Sequence, residues 1–174
     1  MGWQVRYCQG STGASFPSAV SGVPASSGGA GVGWEDGVMV TTVLDITTGR
    51  REVVLDITRE CERVVSESGV QSGLLNVFVP HATAGIAVIE TGAGSDDDLL
   101  AALDDLLPAD DRWRHAHGTR GHGRSHIMPA IVPPHATLPI VDGRLALGTW
   151  QSVCFVDLNV DNPERQVRIS VLGD

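Results

Sequence analysis

No lysine occurs among the 174 residues; all twelve basic side chains are arginine. A Schiff-base lysine and a phosphate-loop lysine are thereby excluded. Any phosphate or carboxylate ligand must be held by arginine forks, helix N-termini or a metal ion. Acidic residues outnumber basic ones, 21 to 12, for a formal net charge of -9. Dispersed arginines in a negative field are no nucleic-acid footprint, so no nucleic-acid partner is expected. Long apolar runs are missing too: none approaches the roughly 20 residues of a membrane helix. The N-terminus lacks the basic and apolar regions of a secretory signal. No membrane partner is expected, and the expected setting is the cytoplasm. Cysteine is scarce. Cys8, Cys61 and Cys154 are odd in number, widely spaced and without a CxxC pair. They read as reduced cysteines, one or two of them buried, rather than a disulfide or zinc framework.

What is present divides at about residue 37. Residues 1–37 are rich in glycine, serine, alanine and proline, and 21–33 (SGVPASSGGAGVG) has no usable periodicity. Such a segment buries too little apolar surface to offset its ordering entropy and reads as a flexible tail. Residues 38–174 read as a single domain. β-Branched runs predict strands at 38–46 and 52–57, joined as a hairpin through Thr47-Thr48-Gly49-Arg50. Thr58 is expected to cap a helix to Ser68 that ends at Gly69, with Ile57, Cys61, Val64 and Val65 as its buried stripe. Strands follow at 74–79 and 84–89. A second helix is expected from an N-cap at Ser95 to Pro108, with Leu99, Leu100, Leu103, Leu106 and Leu107 at helical spacing. Asp142-Gly143 marks a hairpin between 138–141 and 144–147, and strands at 152–158 and 166–172 close the chain. Seven or eight strands with two helices predict an α+β fold: a compact β-sandwich-like core with two main helices packed outside.

All six histidines fall between His81 and His135, and His115, His117, His122 and His126 lie within twelve residues. His115-x-His117 and His122-x3-His126 are spacings compatible with metal ligation, and imidazoles suit zinc or another transition metal. The plain alternative is a solvated loop whose histidines are incidental, His117 and His122 foremost. Arg112, Arg114, Arg120 and Arg124 interleave with them, and nearby cations disfavour another cation; they would suit an anion. His81 follows a buried strand, where a catalytic group and a backbone-capping one are equally at home. Glu90 lies at the other end of the 84–89 strand, so the two cannot touch within one chain unless it bends. Asp96, Asp97 and Asp98 complement a helix dipole; alternatively Asp98 orients a histidine or a water. Trp150 is expected in the core, and Gln151, at a strand start, is placed to bond a ligand or a neighbouring loop.

PHATAGIAVIE (80–90), the Asp98-Leu99-Leu100 helix start, WRH (113–115), GHGRSHI (121–127) and DGRLALGTWQSV (142–153) together resemble the YjbQ family, from about Val38 to the C-terminus. The resemblance implies a compact α+β sandwich that associates as a homotrimer with clefts between protomers. Neighbouring chains would then bring His81 and Glu90 into one site. It also implies a weak thiamine-phosphate synthase activity, in which thiazole phosphate displaces pyrophosphate from a pyrimidine pyrophosphate. By position, His81, Glu90, Asp98, His115, His126, Trp150 and Gln151 match family motif residues. The chain departs from the family pattern at 154–165 (CFVDLNVDNPER), where Arg165 or Arg168 would take over an arginine role.

Three functions follow as expectations. One is a synthase-type transferase acting on a small phosphorylated molecule. Its arginines and a divalent ion would neutralise pyrophosphate, with His81 or His126 as acid or base and Glu90, Asp98 and Gln151 in the site. The second is metal-assisted hydrolysis at His115, His122 and His126, which suits imidazoles better than a pyrophosphate-bound hard cation does. The third is a trimeric metal- or anion-binding protein without chemistry of its own.

Overall fold

In the computed structural model, which describes Val5–Cys8 and residues 37–174, the β-branched run after Gly37 forms the ten-residue strand β2 (Val38–Thr47), preceded in the chain by β1 (Val5–Cys8). Residues 1–4 and 9–36 of the expected tail lie outside the described residues. Val5–Cys8, inside that segment, pairs antiparallel with Val43–Ile46, so the open edge of β2 takes up this short strand.

The remaining elements are β3 (Val53–Asp56), α1 (Thr58–Ser68), β4 (Ser72–Phe78), β5 (Ala84–Ile89), α2 (Ser95–Leu106), the one-turn α3 (His122–Ser125), a 3-10 turn (Met128–Ala130), β6 (His135–Val141), β7 (Arg144–Leu145), β8 (Ser152–Asp157) and β9 (Glu164–Gly173). They build two antiparallel sheets. The larger has the order β1-β2-β9-β4-β6-β7, the smaller β3-β8-β5. The α+β sandwich expected from the pattern is therefore present. One expected pairing is not. β2 and β3 form no hairpin, because β3 pairs with β8 in the other sheet. Thr48 sends the chain across: buried, it donates its backbone N–H (2.8 Å) and its hydroxyl (3.2 Å) to the Pro163 carbonyl. β4 and β5 are likewise split between the sheets.

The core lies between the sheets. β9 alternates strictly, with Val167, Ile169 and Val171 buried and their neighbours outward or partly so. β8, central in the small sheet, is buried over almost its whole length and carries Phe155, fully buried. α1 closes one flank with Cys61, Val64 and Val65 inward and Gly69 at φ 75° as its left-handed stop. Its start differs from expectation. Thr58 is the first helical residue, and the Asp56 carboxylate accepts both its N–H (2.9 Å) and its hydroxyl (2.6 Å). α2 begins after Gly94 at φ 98°, so Ser95 is helical rather than a cap. α2 buries Leu103, and Leu107 just beyond it, in a second cluster with Met128, Val156 and Leu158. Leu106, expected on that stripe, is 60% exposed.

Trp150 is not core. It is 73% exposed because the Gly148–Gln151 turn closes on itself: Gly148 N–H donates to Gln151 Oε1 (2.8 Å) and Gln151 N–H to the Gly148 carbonyl (2.9 Å). The outer face of the large sheet also keeps apolar side chains in solvent, among them Met39, Leu172 and Leu74, cross-strand neighbours on β2, β9 and β4. Among the described residues no helix is long and apolar enough to cross a membrane.

Candidate metal centre

Between Pro108 and Met128 the chain is shaped by anchors rather than by periodicity. Trp113 donates its indole N–H to the Pro108 carbonyl (2.9 Å) and packs against Gly123, where an added Cβ would stand 2.5 Å from Trp113 Cβ and from the His115 carbonyl. α3 is a single turn, and it places His122 and His126 on one side, four residues apart. Arg124 points the other way. Its buried guanidinium pairs with Glu52 and Asp104 and donates to the Leu107 carbonyl (2.9 Å), which ties α3 to the residue just before β3 and to α2. Arg112 is held by Asp110 (2.6 Å) and Arg120 lies 3.6 Å from Asp111. Three of the four interleaved arginines, Arg112, Arg120 and Arg124, thus have carboxylate partners of their own.

The result is a convergence of His115, His117, His122 and His126. Each offers one ring nitrogen, and these atoms all lie within 4.8 Å of one another. Ring centroids stand 4.1 Å apart for His115–His126, 4.2 Å for His115–His117 and 5.0 Å for His122–His126. His122 and His126 face each other through Nε2 at 3.0 Å. On its far side His122 Nδ1 lies 2.6 Å from the Asp161 carboxylate, which also accepts the Thr119 N–H (3.2 Å). That N–H, then the His122 ring, holds the Asp161 carboxyl below its usual range against the opposing effect of burial. Desolvation first, and then the neighbouring rings, push His115 and His126 below the usual imidazole value. Neutral imidazoles with free lone pairs are what a borderline metal ion requires. For a tetrahedral ion with nitrogen ligands at about 2.0–2.1 Å, neighbouring donors stand roughly 3.3 Å apart, a spacing this donor set spans. His115 and His117 are exposed and the other two partly buried, and a cleft of about 410 Å³ bounded by His115, His117, His122, Trp113 and Arg120 opens beside them. The cluster is therefore accessible from one side.

His115, His122 and His126 lie together, and His117, which the alternative reading counts with His122 among the incidental histidines, joins them. His81 does not. Its Nε2 accepts the Gln166 backbone N–H (2.8 Å), and burial followed by the Arg165 guanidinium lowers its pKa. Glu90 and Gln151 are exposed at the opposite end of β5 and β8, where Ile89 pairs with Ser152, about 20 Å along the strand from His81. Asp98 is exposed in the first turn of α2, its N–H bonded to the Gly94 carbonyl. Within one chain these four share no site with the cluster. Arg165 is engaged in a buried pair with Asp157 (2.6 Å). Asp161 was missed from sequence, although Asp157-Leu158-Asn159-Val160-Asp161 is an alternating Asx run that signals successive turns.

Residues 42–174 match the family model described as "UPF0047 protein YjbQ-like". UPF0047 protein Rv2556c of Mycobacterium tuberculosis is 56% identical over 132 residues, 76% of this chain and 97% of that protein. UPF0047 protein YugU of Bacillus subtilis is 34% identical over 135 residues, 75% of this chain and 97% of that one. The crystal structure of a YbjQ-like protein of unknown function from Sulfolobus solfataricus superposes with a TM-score of 0.75 at 26% identity, covering 80% of this chain and all of that one.

Proposed function

The chain belongs to the YjbQ (UPF0047) family, and on that premise we propose that it is a metal-dependent hydrolase of a small phosphorylated molecule, with a zinc or other transition-metal ion held by His115, His122 and His126. The observation that carries this reading is the convergence of four imidazole nitrogens beside an open cleft. Imidazole donors without a carboxylate among them favour a borderline transition metal over magnesium. His122 and His126, partly buried and four residues apart on one turn, give the fixed half of the donor set. His115 approaches from the irregular segment that precedes α3. His117, on the exposed side, stands where a substrate would enter and is free to exchange. A bound ion would supply Lewis acidity toward a phosphoryl oxygen. Arg120, with its side chain 75% exposed beside the cleft, is placed to meet the substrate's negative charge.

The synthase-type transfer implied by the resemblance is the second reading. What supports it is Arg120 at the cleft; what weakens it is the absence of carboxylate donors from the cluster, which a magnesium–pyrophosphate complex would use. In this reading His81, Glu90, Asp98 and Gln151 act across subunits, in clefts of a homotrimer. The outward row Met39, Leu172 and Leu74 is the surface such an assembly would cover.

Release of p-nitrophenol from p-nitrophenyl phosphate, followed before and after chelation and zinc return, tests the first reading. Activity lost on chelation, regained with zinc and absent in His126→Ala supports it; activity indifferent to all three overturns it. Pyrophosphate release from the pyrimidine pyrophosphate that requires thiazole phosphate and disappears in His81→Ala, from protein without phosphatase activity, would move the conclusion to the second.

A further inference from the structure

β8 ends at Asp157 in the small sheet and β9 begins at Glu164 in the large one, so 158–163 is a crossover between sheets. Its base is clamped by the buried pair of Arg165 Nε with Asp157 Oδ2 at 2.6 Å. From there the hydrogen bonds run in one direction. Asp157 Oδ1 accepts the Asn159 N–H (2.8 Å), and Asn159 Oδ1 accepts the Asp161 N–H (2.7 Å) and the Asn162 N–H (3.2 Å). At the end stands the Asp161 carboxylate, 2.6 Å from His122 Nδ1. The His122 side chain is 7% exposed and that of Asp161 22%, so little water competes for the contact. Gly118 closes the remaining side: it sits at φ 82°, and an added Cβ would lie 2.6 Å from Asp161 Oδ2 and 2.8 Å from His122 Nδ1.

We propose that Asp161 is a positioning residue for the metal centre, fixing His122 as the Nδ1–H form so that its Nε2 lone pair points at the other three imidazoles. A carboxylate can only accept, so the ring nitrogen facing it must carry the proton. The opposite nitrogen is then left as the donor atom, turned inward at 3.0 Å from His126 Nε2. A carboxylate behind a ligating imidazole fixes ring orientation and raises its basicity, and removing such a partner costs about 10–100-fold in metal affinity. The inference rests on the reading of the cluster as a metal centre, but the tautomer it assigns exists whether or not a metal binds.

The test uses the full chain in two measurements. Imidazole ¹⁵N shifts of metal-free protein report the His122 tautomer, and competition with a chromogenic chelator reports zinc affinity. Wild type is expected to show His122 protonated at Nδ1. Asp161→Ala should populate the Nε2–H form and bind zinc about 10–100-fold more weakly. Asp161→Asn, which keeps an acceptor but loses the charge, should keep the tautomer and fall between. If wild type binds no zinc yet the tautomer responds, the metal reading fails and the role of Asp161 stands. An unchanged tautomer in Asp161→Ala overturns the proposal. If that variant does not fold, Asp161→Asn decides, and zinc affinity equal to wild type overturns it.

Discussion

His122 Nε2 lies 3.0 Å from His126 Nε2, the two ring nitrogens aimed at each other from the first residue and the C-cap of a one-turn helix. With His122 carrying its proton on Nδ1 toward Asp161, as proposed, His126 would donate the single proton between the two Nε2 atoms in the metal-free protein. A metal ion would take the place of that proton, with both rings holding it. His122→Ala and His126→Ala should each therefore lower zinc affinity by more than the ~100-fold that outer partners can reach. His117→Ala, on the exposed side, should lower it less. Chelator competition on the three variants checks the order, and equal affinities for all three would contradict it.

Arg124 holds the turn that carries both histidines. Its guanidinium is 3% exposed, whereas Glu52 and Asp104 are 32% and 62% exposed, so the carboxylates recover water once the arginine is gone. Arg124→Met should then cost about 2–3 kcal/mol, mainly for charged hydrogen bonds lost and the orphaned Leu107 carbonyl. Urea unfolding of metal-free protein reads the loss. Arg124→Lys should recover only part of it, since a single ammonium nitrogen cannot span acceptors divided between two guanidinium nitrogens.

Stability should fall in mild acid, and His81 should contribute to the fall. Burial and then Arg165 hold its folded pKa below the usual imidazole value, and its Nε2 is already an acceptor. Below about pH 6.5 the unfolded chain takes a proton that the folded chain refuses, so stability drops as pH falls from there toward the folded pKa and is unaffected above. His115 and His126 act in the same direction. His81→Asn should thus make the loss between about pH 7 and pH 5 smaller without abolishing it. Unfolding midpoints across that range decide the matter; an unchanged slope would contradict the assignment.

If a second copy covers the outer sheet face, a charge there should break the assembly and leave the chain folded. Leu74 and Leu172 are 46% and 47% exposed and directly paired. Leu74→Arg with Leu172→Arg should shift sedimentation from a trimer to a monomer, with the far-ultraviolet circular dichroism unchanged. A wild type that sediments as a monomer would contradict the assembly at once.

Sequence patterning reached the fold because its signals are local. Gly69 supplies the left-handed stop of α1, Asp142-Gly143 turns β6 into β7, and the alternation of β9 names its buried face. It failed where the partner is distant. The β2–β3 connection reads as a hairpin, but Thr48 is held by Pro163, 115 residues on. Trp150 reads as core by its size, yet a turn closed by Gln151 leaves it in solvent. In the site, spacing showed that His115, His122 and His126 could meet. It undervalued His117, and it gave no sign of Asp161, which reaches His122 from 39 residues away. Nor did spacing reveal that Arg124, one of the cations thought to oppose a metal, is turned away into a structural role.

The proposed function depends on the imidazole cluster holding an ion, and metal content reads that directly. Protein purified without a histidine tag or chelator and analysed by inductively coupled plasma mass spectrometry should carry close to one transition-metal ion per chain, zinc foremost, and lose it in the double variant His122→Ala, His126→Ala. Wild-type protein free of metal after growth and dialysis in zinc, or a double variant that retains its metal undiminished, would contradict the account.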